Sequence, residues 1–333
     1  MDIDLLGLEP HKVSRDLRGY SVFFYGEPKS GKTTIASKFP NALLLAFEKG
    51  YNTLAGVLAQ PINSWAEFLK VIRQLKDDKV KEKFETIIID TADIAYSYCE
   101  KYVCQANGAN AVGDLAYGKG YALVGNEFDE KLRSIVQMGY GIVLISHATD
   151  KVFKDEAGAE YNKIVPTLDK RANNIVARMA DIIGYSRAVT DDNGVNKTML
   201  FIRGTQRFEA GSRFKYTPDY IEFSYDNLVK TISDAIDKQA EEDGQELFTT
   251  ERENAYKDTS TNLNFDELMA EFQTLIKKFS ENEELMAEYY APRITQIIDR
   301  YLGKGKKVNE MSRDQVEHLS LIVDDLKQIP PKQ

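Results

Sequence analysis

Tyr20–Thr34 reads Tyr-Ser-Val-Phe-Phe-Tyr-Gly-Glu-Pro-Lys-Ser-Gly-Lys-Thr-Thr. Its first six residues form an apolar, β-favouring run. They lead straight into Gly26-x-x-x-x-Gly31-Lys32-Thr33, and a helical stretch follows. A strand, then this spacing, then a helix is the context in which the motif means a phosphate-binding loop. Glycines at both ends let the backbone curl closely, so that its N–H groups converge on phosphate oxygens at a helix N-terminus. Gly26, Glu27, Pro28, Lys29, Ser30, Gly31, Lys32, Thr33 and Thr34 are therefore the expected nucleotide cradle. Lys32 neutralises the β and γ oxygens, and the Thr33 hydroxyl ligates Mg²⁺. ATP with Mg²⁺ is the expected ligand. The competing reading is a Gly-rich turn with a surface lysine, and both flanks argue against it.

Working outward, further short apolar runs alternate with helical stretches. Ala42–Phe47, Thr86–Asp90 and Gly141–Ser146 read as strands. Such continuous runs belong in a parallel sheet covered on both faces. Ser64–Lys76 reads as a helix, with Ser64 and Glu67 in capping-box spacing. Helices are expected near 92–104 and 121–138, with a Gly/Ala/Asn segment, Gln105–Gly120, between them.

Three strand ends carry chemistry. Asp90 closes an Ile-Ile-Ile-Asp strand and is placed to hold the Mg²⁺ shell, although an aspartate there also suits a helix N-cap. Glu48 follows the second strand, where a carboxylate can orient and deprotonate an attacking water. The alternative for Glu48 is an ordinary loop carboxylate. His147 follows Ser146 and is a candidate γ-phosphate sensor, weighed against a plain structural histidine.

Beyond that point, His147–Pro166 reads as a β-hairpin turning at Asp155–Gly158. A helix is expected near Asp169–Arg178. Strands at Ala180–Thr190 and Lys197–Arg203 are joined by an Asp-Asp-Asn-Gly turn, and a helix spans Tyr225–Ala240. The reading divides the chain into a domain over 1–240, a polar linker over 241–263 and a helical domain over 264–333. Helix starts in the last fall at Asn264 and Ser312. Its Gly303–Lys307 stretch is a basic turn. Tyr289, Tyr290, Ile294, Ile297, Ile298 and Tyr301 fall at helical spacing, as bundle core does.

The bulk composition fits a soluble globular protein: 333 residues, 43% hydrophobic and 29% charged. No apolar run is long enough for a membrane span, and no secretory signal opens the chain. Cys99 and Cys104 lie on different faces of one expected helix, so a disulfide between them is disfavoured. Free thiols suit a reducing cytoplasm. Three scattered histidines give no zinc spacing. The net charge is −9, and residues 241–333 carry 20 acidic against 12 basic side chains. A polyanion would be repelled by that tail and must meet local basic loops.

The order of these parts resembles the RecA-like ATPases. The shared features are Gly-x-x-x-Ser-Gly-Lys-Thr-Thr through Thr34, Phe47-Glu48 after the P-loop helix, the Ile-Ile-Ile-Asp strand, and a later strand ending in a polar sensor. More narrowly, the chain resembles phage nucleotide-binding AAA proteins related to phage RecA-like single-strand annealing ATPases. That resemblance rests on Tyr117-Gly118-Lys119-Gly120-Tyr121, Ile145-Ser146-His147 and Arg207–Phe214, and it covers roughly 15–240. It implies an α/β fold: a RecA-like P-loop NTPase core with a mainly parallel sheet, followed here by a small C-terminal helical domain. It also implies ATP hydrolysis, homo-oligomerisation and work on single-stranded DNA in phage recombination or replication. The N-terminus lacks an aromatic-alanine polymerisation motif. The linker and the acidic helical tail are extra to the compact annealing proteins; the two readings of them are a docking place for a partner such as a single-strand-binding protein or another recombination protein, and a simple restraint on assembly.

In a RecA-like core two loops face the oligomer axis. Gln105–Tyr121 brings Tyr117, Lys119 and Tyr121, and Asp150–Lys163 brings Lys151, Phe153, Lys154 and Lys163. Aromatics beside lysines stack bases and neutralise phosphates. Solvated loops are the alternative, and Asp150, Asp155, Glu156 and Glu160 dilute the charge. Arg207 or Arg213 is a candidate arginine finger for a neighbouring subunit, against ordinary ion-pair arginines. Two other functions compete: a P-loop kinase, for which no arginine-rich lid is visible, and an ATP switch or loader acting through the tail.

Overall fold

The computed structural model describes residue 10 and residues 12–115, 118–191, 193–244, 247–249 and 263–331. The chain divides after Asp258 into two compact units.

The larger unit runs in the order β1 (Val13–Ser14), β2 (Ser21–Gly26), α1 (Lys32–Ala36), β3 (Ala42–Ala46), β4 (Ala59–Pro61), α2 (Trp65–Gln74), α3 (Asp78–Lys83), β5 (Thr86–Asp90) and α4 (Ala92–Ala106). It continues with α5 (Lys119–Gln137), β6 (Gly141–Lys154), β7 (Glu160–Pro166), α6 (Lys170–Met179), β8 (Ile182–Thr190), β9 (Asn196–Phe201), β10 (Gly211–Ser212), β11 (Tyr220–Glu222), α7 (Tyr225–Asp243) and β12 (Phe248–Thr249). Ten strands share one sheet, ordered β11-β9-β8-β2-β6-β5-β3-β4, with β10 added on β8 and β7 on β6. The run from β8 to β4 is parallel. Strands β9, β10 and β11 join antiparallel.

Both faces of this sheet are covered, because alternate residues of each central strand point opposite ways. Phe23, Tyr25, Leu45, Ile87 and Ile89 pack with Trp65, Phe68 and Phe128 from α2 and α5. Val22, Phe24, Leu44, Ile88 and Val143 pack on the other side with Ile35, Leu228 and Ile232 from α1 and α7. Every residue of β2 and β5 is buried. The α2 cap forms as expected at Ser64, which accepts from Glu67 N–H at 3.2 Å. The Glu67 carboxylate reaches back to Asn63 N–H at 2.8 Å, one residue beyond the cap.

Several boundaries differ from the sequence reading. Strand β6 does not stop at Ser146; it runs for 14 residues in all and becomes one arm of the hairpin, paired with β7 from Ala148↔Pro166 to Lys154↔Glu160. The hairpin turn sits at Asp155, whose Oδ1 accepts from Ala159 N–H at 2.8 Å, with Gly158 at φ 83°. The Gln105–Gly120 segment is partly packed: Val112 is buried in a 3₁₀ turn, and α5 starts at Lys119. The expected linker starts too early. Helix α7 runs to Asp243, and β12 pairs in parallel with β1, burying Phe248 on the core. One aromatic anchor outweighs the polar composition around it. Cys99 and Cys104 are free and buried.

The smaller unit comprises α8 (Phe265–Phe279), α9 (Glu283–Leu285), a π-turn over Met286–Tyr290, α10 (Ala291–Leu302) and α11 (Val316–Lys327). Asn264 caps α8, and Gln315 Oε1 accepts from Ser312 N–H at 3.0 Å just before α11. The core holds Phe279, Ile294, Ile297, Leu319, Ile322, Val323 and Leu326. Tyr290 stacks on Phe279 at 4.6 Å, and the Arg293 guanidinium lies 3.8 Å over Tyr289. The Gly303–Lys307 turn is exposed. Among the described residues no helix is long and apolar enough to cross a membrane.

Candidate nucleotide site

Strand register decides what meets at the carboxyl edge of the sheet. Gly26 lies opposite His147 and Ser186, while Asp90 lies opposite Ala46 and Ile145. The ends of β2, β3 and β5, and the point where β6 leaves the sheet, therefore share one edge.

The loop's backbone is built by its glycines. A Cβ at Gly26 would sit 2.1 Å from the Ser186 carbonyl oxygen, so no side chain fits there. Gly31 caps α1 at φ 86°, and Lys29 takes φ 65°. The left-handed region is cheap for glycine and costly for lysine. Ser30 Oγ lies 2.8 Å from Ser186 Oγ, tying the loop to β8.

Lys32 is almost wholly buried, at 5% exposure. Its ammonium donates to the carbonyls of Gly26 (3.0 Å) and Glu27 (2.7 Å) and to Ser30 Oγ (3.4 Å). Burial lowers its pKa to about 8, against the pull of Asp90 and Glu48. Among the described residues its hydrogen-bond acceptors are all neutral, so no direct ion pair occupies its charge. Thr33 Oγ1 donates to Asp90 Oδ2 at 2.7 Å. Burial raises the pKa of Asp90, and the Thr33 bond opposes the rise. These two hard oxygen donors suit Mg²⁺, which takes one or two protein ligands and completes its shell with phosphate and water. Among the described residues no cluster of three or more His, Cys, Asp or Glu side chains forms a separate metal cage.

Asp90 also places Glu48. Its carbonyl accepts from Phe47 N–H at 2.8 Å and from Glu48 N–H at 3.0 Å. Glu48 Oε2 lies 3.4 Å from His147 Nε2. The buried His147 Nδ1 has no hydrogen-bond partner among the described residues. A cavity of about 550 Å³ is lined by Lys32, Thr33, Thr34, Glu48, Asp90 and His147, together with Gly50, Thr53 and Leu54. Thr34, Thr53 and Leu54 also line a neighbouring hollow of about 490 Å³, whose other walls include Ser37, Lys38 and Val57.

Three contributors had no sequence signal. Ser186 reaches the loop from β8. Thr167 Oγ1 donates to Asp93 Oδ1 at 2.6 Å, and Thr167 N–H donates to the His147 carbonyl at 2.9 Å. Together they brace the root of the hairpin against α4. Asp93 sits in the first turn of a helix, where aspartate is unremarkable.

The candidate arginines part company. Arg213 is engaged with its own chain, donating to Asp181 Oδ1 at 3.0 Å and to the Arg178 carbonyl at 2.7 Å. Arg207 is exposed, and its guanidinium meets no partner among the described residues. On the hairpin, Lys154 lies 3.5 Å from Glu160 and Lys163 lies 3.4 Å from Glu209. Lys151 and Phe153 are exposed, with Phe153 stacked on Tyr161 at 6.0 Å. Lys119 opens α5 and is exposed, and Tyr121 carries Arg171 at 4.1 Å over its ring. Tyr117 lies outside the described residues.

A mainly parallel sheet with a glycine-built phosphate loop on one central strand, and with the acid-ended strand β5 separated from it by β6, defines a P-loop protein. A model of the AAA domain family matches residues 18–214, more than half of the chain, and the protein belongs to that family of nucleotide-binding domains. It is also similar to the SPbeta prophage-derived uncharacterized protein YorG of Bacillus subtilis (strain 168), at 34% identity over 335 residues and 99% of each chain. That likeness spans both compact units.

Proposed function

We propose that the protein is a Mg²⁺-dependent ATPase that works as a homo-oligomer on single-stranded DNA, in phage recombination or replication within the host cytoplasm. One observation carries the reading: Lys32, Thr33, Glu48, Asp90 and His147 line a single cavity, and the strand bearing His147 runs on without a break into an exposed hairpin. Lys32 neutralises the β and γ phosphates. Thr33 and Asp90 hold the Mg²⁺ shell. Glu48 orients and deprotonates the attacking water, and His147 senses the γ-phosphate beside it. The hollow beyond Thr34 takes the nucleoside.

His147 sits where the sheet becomes the hairpin, so a change at the γ-phosphate has a short covalent route to Lys151 and Phe153. Those two residues neutralise a phosphate and stack a base. The phage setting is supported by the similar prophage-derived protein. ATPase assays with and without single-stranded DNA test this reading. Turnover stimulated by DNA is expected; phosphorylation of a small acceptor would indicate a kinase instead.

A second reading is an ATP-dependent switch or loader that binds a replication or recombination partner, such as a single-strand-binding protein, through its helical tail. It is favoured by a hollow of about 350 Å³ in the smaller unit, floored by Phe272, Ile298 and Val308 and edged by Lys306 and Lys307. ATP binding without turnover would select it.

A further inference from the structure

Tyr25 ends the apolar part of β2, one residue before the phosphate loop. Its ring is fully buried and stacks on Tyr185 at 5.1 Å. Packing alone would accept phenylalanine, which occupies position 23 on the same face. The hydroxyl does more than fill space. It donates to the Glu209 carbonyl at 2.6 Å and accepts from Glu209 N–H at 3.0 Å. The Ile164 carbonyl of β7 lies 3.5 Å away. One hydroxyl on the phosphate-loop strand thus fixes the backbone of Glu209 beside the returning arm of the hairpin.

The segment it fixes is a tight turn with Arg207 at its tip. Thr205 N–H donates to the Phe208 carbonyl at 3.1 Å, and Arg207 N–H donates to Thr205 Oγ1 at 3.1 Å. Ile164 N–H donates to the Arg207 carbonyl at 2.8 Å. The Glu209 carboxylate meets Lys163 at 3.4 Å and the Asn173 amide at 3.3 Å. Phe208 packs on Tyr185 at 5.3 Å. The backbone around Arg207 is held on several sides, while its guanidinium stands exposed and unpartnered among the described residues. Burial pushes the Tyr25 phenol's pKa well up, so the group stays neutral and can donate and accept together.

We propose that Tyr25 is a positioning residue: its hydroxyl fixes the Thr205–Glu209 turn to the phosphate-loop strand, so that Arg207 is presented in a set geometry to the nucleotide of a neighbouring copy. This rests on the oligomeric ATPase reading above. The geometry also chooses between the two candidate arginines, because Arg213 is already spent on Asp181 and Arg178.

The test uses the full chain as parent, Tyr25→Phe, Arg207→Ala and the double variant. Three readouts are taken: the Kd for Mg²⁺–ATP, kcat at saturating ATP, and amide hydrogen exchange across residues 204–210. Tyr25→Phe is expected to keep Kd within about twofold, to lower kcat about tenfold or more, and to speed exchange across 204–210 about tenfold. The double variant should turn over no more slowly than Arg207→Ala alone. Parent-like exchange or parent-like kcat in Tyr25→Phe overturns the proposal. So does a multiplicative loss in the double variant, or a parent-like kcat in Arg207→Ala. A loss of ATP binding in Tyr25→Phe also overturns it, since it would show the hydroxyl supporting the loop itself. If the parent has no turnover, the ATPase reading fails separately, and the exchange readout still decides whether Tyr25 holds the turn.

Discussion

Thr33 Oγ1 donates a 2.7 Å hydrogen bond to Asp90 Oδ2, joining the first turn of α1 to the end of β5 across the intervening strand β6. The two oxygens that would face Mg²⁺ are thereby held together before any ligand arrives. Their preorganisation carries a cost, because the Asp90 carboxylate is buried and its pKa is raised.

Asp90→Asn therefore separates stability from function. A carboxyl group whose folded pKa lies above its unfolded value destabilises the fold at neutral pH, and the penalty fades as pH falls through the folded pKa. Removing the charge should leave the free protein's thermal midpoint at pH 7 equal to or above the parent's. Affinity for Mg²⁺–ATP should fall about 10- to 100-fold, the worth of a charge-assisted contact. Thermal melts with and without Mg²⁺–ATP check both arms. A destabilised free variant with intact Mg²⁺–ATP binding would contradict the assignment.

Lys32 sets a pH limit on nucleotide affinity. Burial lowers the pKa of its free-state ammonium to about 8, and a bound triphosphate would raise it again. Binding then takes up a proton above pH 8. ATP affinity should hold below that pH and weaken by up to about tenfold per unit above it. Titration calorimetry from pH 6.5 to 9.5 measures this, and a flat profile would speak against the ammonium's role. Lys32→Ala should bind poorly throughout.

Glu48→Gln keeps the shape of the residue that His147 approaches at 3.4 Å and removes the proposed base. Turnover should fall about 10²- to 10⁴-fold with ATP affinity nearly unchanged. His147→Ala should retain ATP binding and lose the dependence of DNA affinity on ATP. Retained coupling in that variant would end the sensor role.

The hairpin makes a prediction about salt. Lys151 is exposed and has no ion pair among the described residues, whereas Lys154 and Lys163 lie near carboxylates. Lys151→Ala should weaken single-stranded DNA binding and reduce the salt slope by about 0.7. Phe153→Ala should cost about 1–3 kcal/mol of affinity with the slope preserved. Fluorescence anisotropy across a salt series distinguishes these effects; binding unaffected by either change would move the DNA surface elsewhere.

Gly26→Ala places a methyl group 2.1 Å from the Ser186 carbonyl, a backbone atom with little room to yield. The variant should lose thermal stability and ATP binding together. Circular dichroism melts and a filter-binding assay would show it.

The central strands, the glycine loop and the strand-end carboxylates beside it were legible because each is written in a short contiguous stretch. Val22–Phe24 and Ile87–Ile89 declare a buried strand through composition alone, and Gly26 and Gly31 mark the loop. The helix caps at Ser64, Asn264 and Ser312 were equally readable, since a cap's chemistry lies within three residues. The continuation of β6 past His147 was hidden. Polar residues such as Asp150 and Lys151 hide a strand that leaves the sheet, because a two-stranded ribbon buries neither face fully. The place of Phe248 was hidden too, since one buried aromatic in a charged stretch leaves no period to detect.

Taken alone, the order of residues determined which groups stand ready for phosphate chemistry and which strands are buried, because those properties follow from neighbours a few positions apart. Folding in three dimensions decided the rest: that Ser186 closes over Gly26, that Thr167 braces Asp93, that Arg213 is engaged while the Arg207 guanidinium meets no partner among the described residues, and that the Tyr25 hydroxyl grips Glu209 from 184 residues away. Those meetings depend on the order and register of strands in the sheet, and no local stretch encodes either.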